Sequence, residues 1–204
     1  MRITVFGATG GTGRRVVEQA LAAGHEVTAV VRAGGDITAT EVVRADPTDP
    51  VAIESAVKGR DAVISALGHR PGADTPICAP GAAAIITAMR ATGVRRLLVV
   101  TASGHVTDAN DGPAIRLFKP ILRRFLRASF EDFAVTDALV ADSGLDWTIL
   151  RPPRLTNGGH KRYRTELDRT VRGGGTISRA DLARALLQAA QNPATIGHAM
   201  AVGY

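Results

Sequence analysis

Cysteine occurs once in this chain of 204 residues, at Cys78. A lone thiol cannot form an internal disulfide, and Cys78 stands in no Cys-x-x-Cys or Cys/His spacing that would hold a metal. The expected setting is therefore the reducing cytoplasm. The sequence also lacks an apolar run long enough to span a bilayer, and Met1-Arg2 leads into apolar Ile3 to Phe6 without the pattern of a signal peptide. Export and membrane embedding are not expected. Low-complexity tracts and internal repeats are missing, and 45% hydrophobic with 22% charged residues is ordinary for one soluble globular domain spanning 1–204. The net charge of +6 comes without a recognition helix, zinc finger or aromatic-studded RNA motif. That balance fits an anionic small-molecule ligand or plain solubility, not nucleic acid.

What is present is an alternation of short apolar runs with longer amphipathic ones, the mark of βαβ units feeding one parallel sheet. Ile3 to Phe6, Val27 to Val31, Glu41 to Arg44, Ala62 to Leu67, Leu97 to Thr101 and Trp147 to Leu150 read as strands. Several are apolar without alternation, as strands covered on both faces should be. Helices are predicted over Thr12 to Ala23, Pro50 to Val57 and Pro80 to Ala91, with two more in Ala114 to Ser143 parted near Pro120 or Ser129. Ser178 with Asp181 resembles a capping box for a last helix reaching Gln191, and a short strand follows near His198 to Val202. The fold class is α/β: a Rossmann-type, doubly wound, mainly parallel sheet with a small C-terminal portion on the substrate side. Gly158-Gly159 and Gly173 to Gly175 are expected in loops near the carboxyl ends of the strands, as walls of a pocket.

Gly7-Ala8-Thr9-Gly10-Gly11-Thr12-Gly13 lies between the first strand and the first helix, the context in which such a string carries meaning. Glycine lets the turn close and lets backbone N–H groups approach a pyrophosphate, which the helix N-terminus favours. A dinucleotide is the expected ligand. Its type is read at the end of the second strand, Val30-Val31-Arg32: an acidic residue there holds ribose hydroxyls, whereas a guanidinium pairs with a 2′-phosphate. Arg32 thus points to NADP(H), its bland alternative being a solvated strand-end charge. Arg14 either adds to the phosphate field or points to water. Asp46 either meets the adenine side or caps the turn before the Pro50 helix.

With Gly7-Ala8-Thr9-Gly10, Val31-Arg32, Ala66-Leu67-Gly68, Thr101-Ala102-Ser103, Ser143-Gly144-Leu145-Asp146-Trp147, Arg151-Pro152-Pro153 and Ile177-Ser178-Arg179-Ala180-Asp181-Leu182, nearly the whole chain resembles the NmrA-like atypical short-chain dehydrogenases/reductases, in particular their NADPH-dependent flavin and biliverdin-IXβ reductase branch. The resemblance implies that Gly7, Thr9, Gly10, Gly11, Thr12 and Arg32 hold the phosphates and that Asp46 and Pro47 meet the adenine. It also implies that Leu67, Gly68 and Arg70 line the cofactor, and that Val100, Thr101, Pro153 and Arg154 flank the nicotinamide. Three departures stand out. Ala102 takes the place of a serine after the threonine, with Ser103 next; Phe133 and Arg154 take the places of substrate-side histidines; and Gly104 to Phe130 is longer than the branch leads one to expect.

The two tyrosines, Tyr163 and Tyr204, have no lysine four residues on, so the Tyr-x-x-x-Lys pair that protonates a carbonyl oxygen is missing. Hydride transfer to a flavin mainly requires that two rings be aligned. The expected activity is thus NADPH-dependent reduction of a planar, anionic, conjugated acceptor such as a flavin or a tetrapyrrole-like compound, with Ser103 as candidate catalytic residue. The rivals are a non-enzymatic NADP(H) sensor and, disfavoured by the missing tyrosine, an epimerase or dehydratase. His25, His69, His105, His160 and His198 lack metal spacing, so no metal is expected; His69 and His105 are pocket candidates, their alternative being solvent-facing loops. Arg116, Lys119, Arg123 and Arg127 recur at helical spacing as a basic stripe, either solvated or bordering the pocket.

Overall fold

The structure, a computed structural model, describes residues 1–32, 36–69, 76–106 and 127–204. Arg70 and the stripe residues Arg116, Lys119 and Arg123 lie outside the described residues, as does the expected break at Pro120. The strands are β1 (Arg2–Phe6), β2 (Glu26–Val31), β3 (Glu41–Arg44), β4 (Ala62–Ser65), β5 (Arg96–Val100), β6 (Asp146–Arg151), β7 (Arg154–Thr156), β8 (Arg164–Leu167), β9 (Thr176–Ser178) and β10 (His198–Gly203). The helices are α1 (Gly11–Ala22), α2 (Pro50–Val57), α3 (Cys78–Thr92), α4 (Arg127–Ala141) and α5 (Arg179–Gln191).

Eight strands form one sheet in the order β3-β2-β1-β4-β5-β6-β10-β8, parallel throughout except where β8 runs against β10. Strand residues alternate between two cores. Ile3, Val5, Val27, Ala29 and Ile64 pack with α1 and α5, whereas Phe6, Val30, Val63, Leu97 and Val99 pack with α2 and α3. Burial on both faces is why these strands read as unbroken apolar runs, and it places the sheet in the doubly wound class. The order reverses at β1, which pairs with β2 on one side and β4 on the other. That switch point opens a crevice at the carboxyl ends. No helix among the described residues is long and apolar enough to cross a membrane.

Several boundaries differ from the sequence reading. Strand β4 stops at Ser65, so Ala66 and Leu67 leave the ladder and enter the crevice. Helix α4 runs through Ser129 without a break. Strands β7, β8 and β9 carry no apolar period; β8 is fully exposed, an edge strand of Arg-Thr-Glu-Leu, and β7 pairs with β9 in a separate two-stranded sheet. The two late glycine stretches do not wall the crevice. Gly174 instead closes a turn with Val171 and lies against Gly203 at the end of β10.

The start of α5 is held by one buried carboxylate. Ser178 caps the helix by accepting the Asp181 N–H at 3.0 Å, as the spacing predicts. Asp181 itself accepts from the Tyr204 hydroxyl (2.6 Å), the Lys161 N–H (2.9 Å), Arg184 (2.9 Å) and the Ser178 hydroxyl (3.1 Å), with His160 at 3.2 Å. Burial alone would raise its pKa. The donors, led by Tyr204, outweigh that and hold the carboxyl below its ordinary range. A depressed folded-state pKa contributes stability that is present at neutral pH and lost as pH falls through and below about 4. Asp181→Asn should therefore cost on the order of 2 kcal/mol at pH 7. In thermal melts the gap to wild type should narrow progressively as the pH is taken below about 4.

Candidate functional site

The crevice at the switch point is an open cleft of about 350 Å³. Its floor is Gly7, Thr9, Gly10, Gly11 and Thr12; one flank is Val30, Val31, Arg32 and Pro47; the other is Ala66 to His69 with Val100 and Thr101. The glycines fix its shape. Gly7 adopts φ +72°, and a Cβ there would overlap the Ala66 carbonyl, so the ends of β1 and β4 touch backbone to backbone. Gly13 is shielded from the cleft and lies against the Gly7 carbonyl, which a Cβ would also overlap; it permits α1 to start this close to β1.

Helix α1 begins with Gly10 as N-cap, without a side-chain cap and without an acidic residue in its first turn. Its leading N–H groups therefore face the cleft with the positive end of the helix dipole and no internal anion to answer it. The turn is closed by the Gly10 N–H to the Gly7 carbonyl at 2.9 Å. Such a floor suits a pyrophosphate. At the far flank Arg32 is exposed at the end of β2, in the place where a dinucleotide's adenosine ribose would lie. Arg14 instead reaches the Asp36 carbonyl at 3.2 Å.

The opposite end of the cleft is built by α4, whose buried face carries two acids. Asp132 accepts the N–H groups of Ile77 (3.1 Å), Cys78 (2.9 Å) and Ala79 (2.8 Å), capping α3 from another helix, and also binds His69 Nε2 at 3.0 Å. Asp137 binds His105 Nε2 and Arg151 Nη2, each at 2.8 Å. Between the acids, Phe133 is half-buried and lines the cleft, edge-on to His69 at 5.7 Å and tilted to His105 at 6.2 Å. Ile77 and Leu155 complete this end, and Thr101 lines it with a buried hydroxyl that has no hydrogen-bond partner among the described residues. His69, Cys78 and Asp132 place ligand atoms within 4.8 Å of one another. Asp132 is already engaged by three N–H groups, however, and burial, aided by the Asp132 charge, pushes the Cys78 thiol up and keeps it protonated. The trio is a hydrogen-bonded cap.

Of the residues singled out in the sequence, Gly7, Thr9, Gly10, Gly11, Thr12, Arg32, Pro47, Leu67, Gly68, Val100 and Thr101 come together in the cleft. Asp46 stands beside it. Its carboxylate closes a turn onto the Thr48 N–H (2.9 Å) and hydroxyl (2.7 Å), which with the Arg32 charge hold its pKa low, while the cap of α2 is Asp49. Ser103, Pro153 and Arg154 do not line the cleft. The Ser103 N–H is tied to the Pro152 carbonyl at 2.9 Å, Arg154 is exposed on β7, and the next residue, Leu155, is the one that reaches in. Both tyrosine hydroxyls are engaged elsewhere, Tyr163 on Gln188 and Tyr204 on Asp181. Arg127 pairs with Glu131 in solvent at 2.7 Å. Phe133, which the resemblance sets in the place of a substrate-side histidine, does line the cleft, whereas Asp132 as the anchor of His69 and Arg179, which lines the cleft from the first turn of α5, carry no signal in the sequence.

A family model described as NAD(P)H-binding matches residues 7–193, which is most of the chain. The uncharacterized Bacillus subtilis protein YwnB is 29% identical over 202 residues, covering 95% of this chain and 93% of its own. Among solved structures, a candidate exported protein of Burkholderia pseudomallei superposes with a TM-score of 0.84 at 28% identity, both chains covered in full. A candidate NADH-flavin reductase of Streptococcus pneumoniae does so with a TM-score of 0.76 at 25% identity, covering 100% of this chain and 99% of that one.

The cap on α3 is open to a direct test. Asp132→Ala leaves three N–H groups and an imidazole without their acceptor and should destabilise the protein by on the order of 3 kcal/mol. Chemical denaturation measures this, and a loss within 0.5 kcal/mol, roughly that of an average surface change, would contradict it.

Proposed function

This chain belongs to the NAD(P)H-binding family, and from that premise we propose that it is an NADPH-dependent reductase of a flat conjugated acceptor such as a flavin. The observation that carries the reading is the make-up of the cleft's far end. Phe133, Ile77, Leu155 and Val100 offer an apolar, partly aromatic wall, and neither tyrosine hydroxyl reaches it. Such a wall aligns a ring by stacking and water exclusion, whereas a simple ketone would need a proton donor at its oxygen.

In this reading the glycine loop and the first N–H groups of α1 hold the pyrophosphate, and Arg32 pairs with the 2′-phosphate. When bound, the cofactor supplies a hydride. The chain's residues orient the acceptor: Phe133 faces its ring, Val100 and Thr101 flank the nicotinamide, and the proton that completes the two-electron reduction comes from water at the open mouth. Ser103 is left as a support of the loop after β5. A free, buried Cys78 agrees with a reducing compartment such as the cytoplasm.

Mixing the protein with NADPH and FMN or riboflavin, and following nicotinamide absorbance, should show consumption above the free-flavin background. No consumption across these acceptors overturns the reading, and tight binding that distinguishes NADP⁺ from NADPH without turnover would make the protein a sensor instead. Arg32→Ala should raise KM for NADPH by about ten- to a hundred-fold, the worth of one charge-assisted pair, and far more than it raises KM for NADH.

A further inference from the structure

Arg179 is the first residue of α5, some 170 positions after the glycine loop, yet its side chain crosses that loop. A Cβ placed on Gly11 would come within 2.8 Å of the Arg179 Nε and 2.9 Å of its Cδ. The glycine thus gives the side chain room to lie across the start of α1. Two contacts fix it there. Gln19 of α1 donates to the Ala180 carbonyl at 2.8 Å, pinning the start of α5 against α1, and Arg179 Nη1 donates to Asn157 Oδ1 at 2.7 Å.

Helix stability gives no reason for this residue. A cation in the first turn of a helix opposes the dipole, and no carboxylate among the described residues pairs with Arg179. Its charge stands over the uncapped N–H groups of α1, so two sources of positive potential converge on one point of the cleft floor. Arg179 is half-buried, and converging positive potential of that sort favours an anion between its sources.

We propose that Arg179 is a ligand of the dinucleotide's pyrophosphate and that Asn157 is its positioning residue. The proposal rests on the cofactor reading above and divides the phosphates between two arginines: Arg32 meets the group peculiar to NADPH, Arg179 the group that NADPH and NADH share. It also makes the loop after β7 and the start of α5 part of the cofactor site, so that the C-terminal portion closes over the glycine loop from above.

The test is a calorimetric titration of NADPH and of NADH into the wild type, Arg179→Ala, Arg179→Lys, Asn157→Ala and Arg32→Ala, with a thermal melt of each apo-protein. Arg179→Ala should raise both dissociation constants by the same factor, about tenfold or more, and Arg179→Lys should restore part of the loss. Asn157→Ala should raise both to a smaller, equal extent. Arg32→Ala should act mainly on NADPH. Unchanged dissociation constants in Arg179→Ala, or a loss confined to NADPH, would overturn the assignment while leaving the cofactor reading intact. A lowered melting temperature with unchanged affinities would reduce Arg179 to a structural role. A wild type that binds neither dinucleotide would overturn both.

Discussion

The contact on which the site depends is made by backbone alone: the end of β1, at Gly7, against the end of β4, at Ala66 and Leu67. Because the two strands are parallel and in register only as far as Phe6 and Ser65, they part just where the order of the sheet reverses. The left-handed turn at Gly7 sends the chain up into α1 while Ala66 to His69 swing away to form the opposite flank. A side chain at position 7 would overlap the Ala66 carbonyl and push the two strand ends apart. Arg32, Val100 and Thr101 then take their places simply by ending neighbouring strands at the same height.

The second frame is electrostatic. Helix α4 turns two acids inward, and each holds a loop that follows a strand: Asp132 the one after β4 through His69, Asp137 the one after β5 through His105, with Arg151 at the end of β6. Buried carboxylates are costly unless every oxygen is answered, and Asp132 meets that demand with three N–H groups that α3 would otherwise leave without acceptors. One interaction therefore satisfies a helix end and a buried carboxylate together, and it sets His69 and Phe133 at the α4 end of the cleft.

The core of the fold was legible because parallel strands covered on both faces leave a continuous apolar record, and the glycine loop was legible because its spacing sits between a strand and a helix. Glu41–Arg44, although an exposed edge strand, and Pro50–Val57, with proline in its first turn, match the sequence reading to the residue. What escaped has no local signature. Strand β8 is exposed along its whole length at the sheet edge and so leaves no apolar run. The acids of α4 have no partners close in sequence: Asp132 is answered by the start of α3, 53 to 55 residues earlier, and Asp137 by His105 and Arg151. Arg179 reads as part of a capping segment, and only the packing of α5 on α1 brings it over Gly11. Ser103 and Thr101 carry the same hydroxyl in the sequence, and only the fold shows that Thr101 lines the cleft while the Ser103 backbone ties to Pro152.

Asp132 and Asp137 also divide the labour along α4. Each grips a separate part of the protein, so the helix can neither slide nor rotate without breaking both grips, and the half-buried position between them, 133, is the one whose side chain is held by no hydrogen bond of the frame. A lineage could exchange the phenylalanine there for a smaller, larger or polar residue while the scaffold stayed put. The shape of the cleft at its α4 end can thus change at this one position at little cost to the scaffold, because the hydrogen bonds that seat the helix belong to its neighbours.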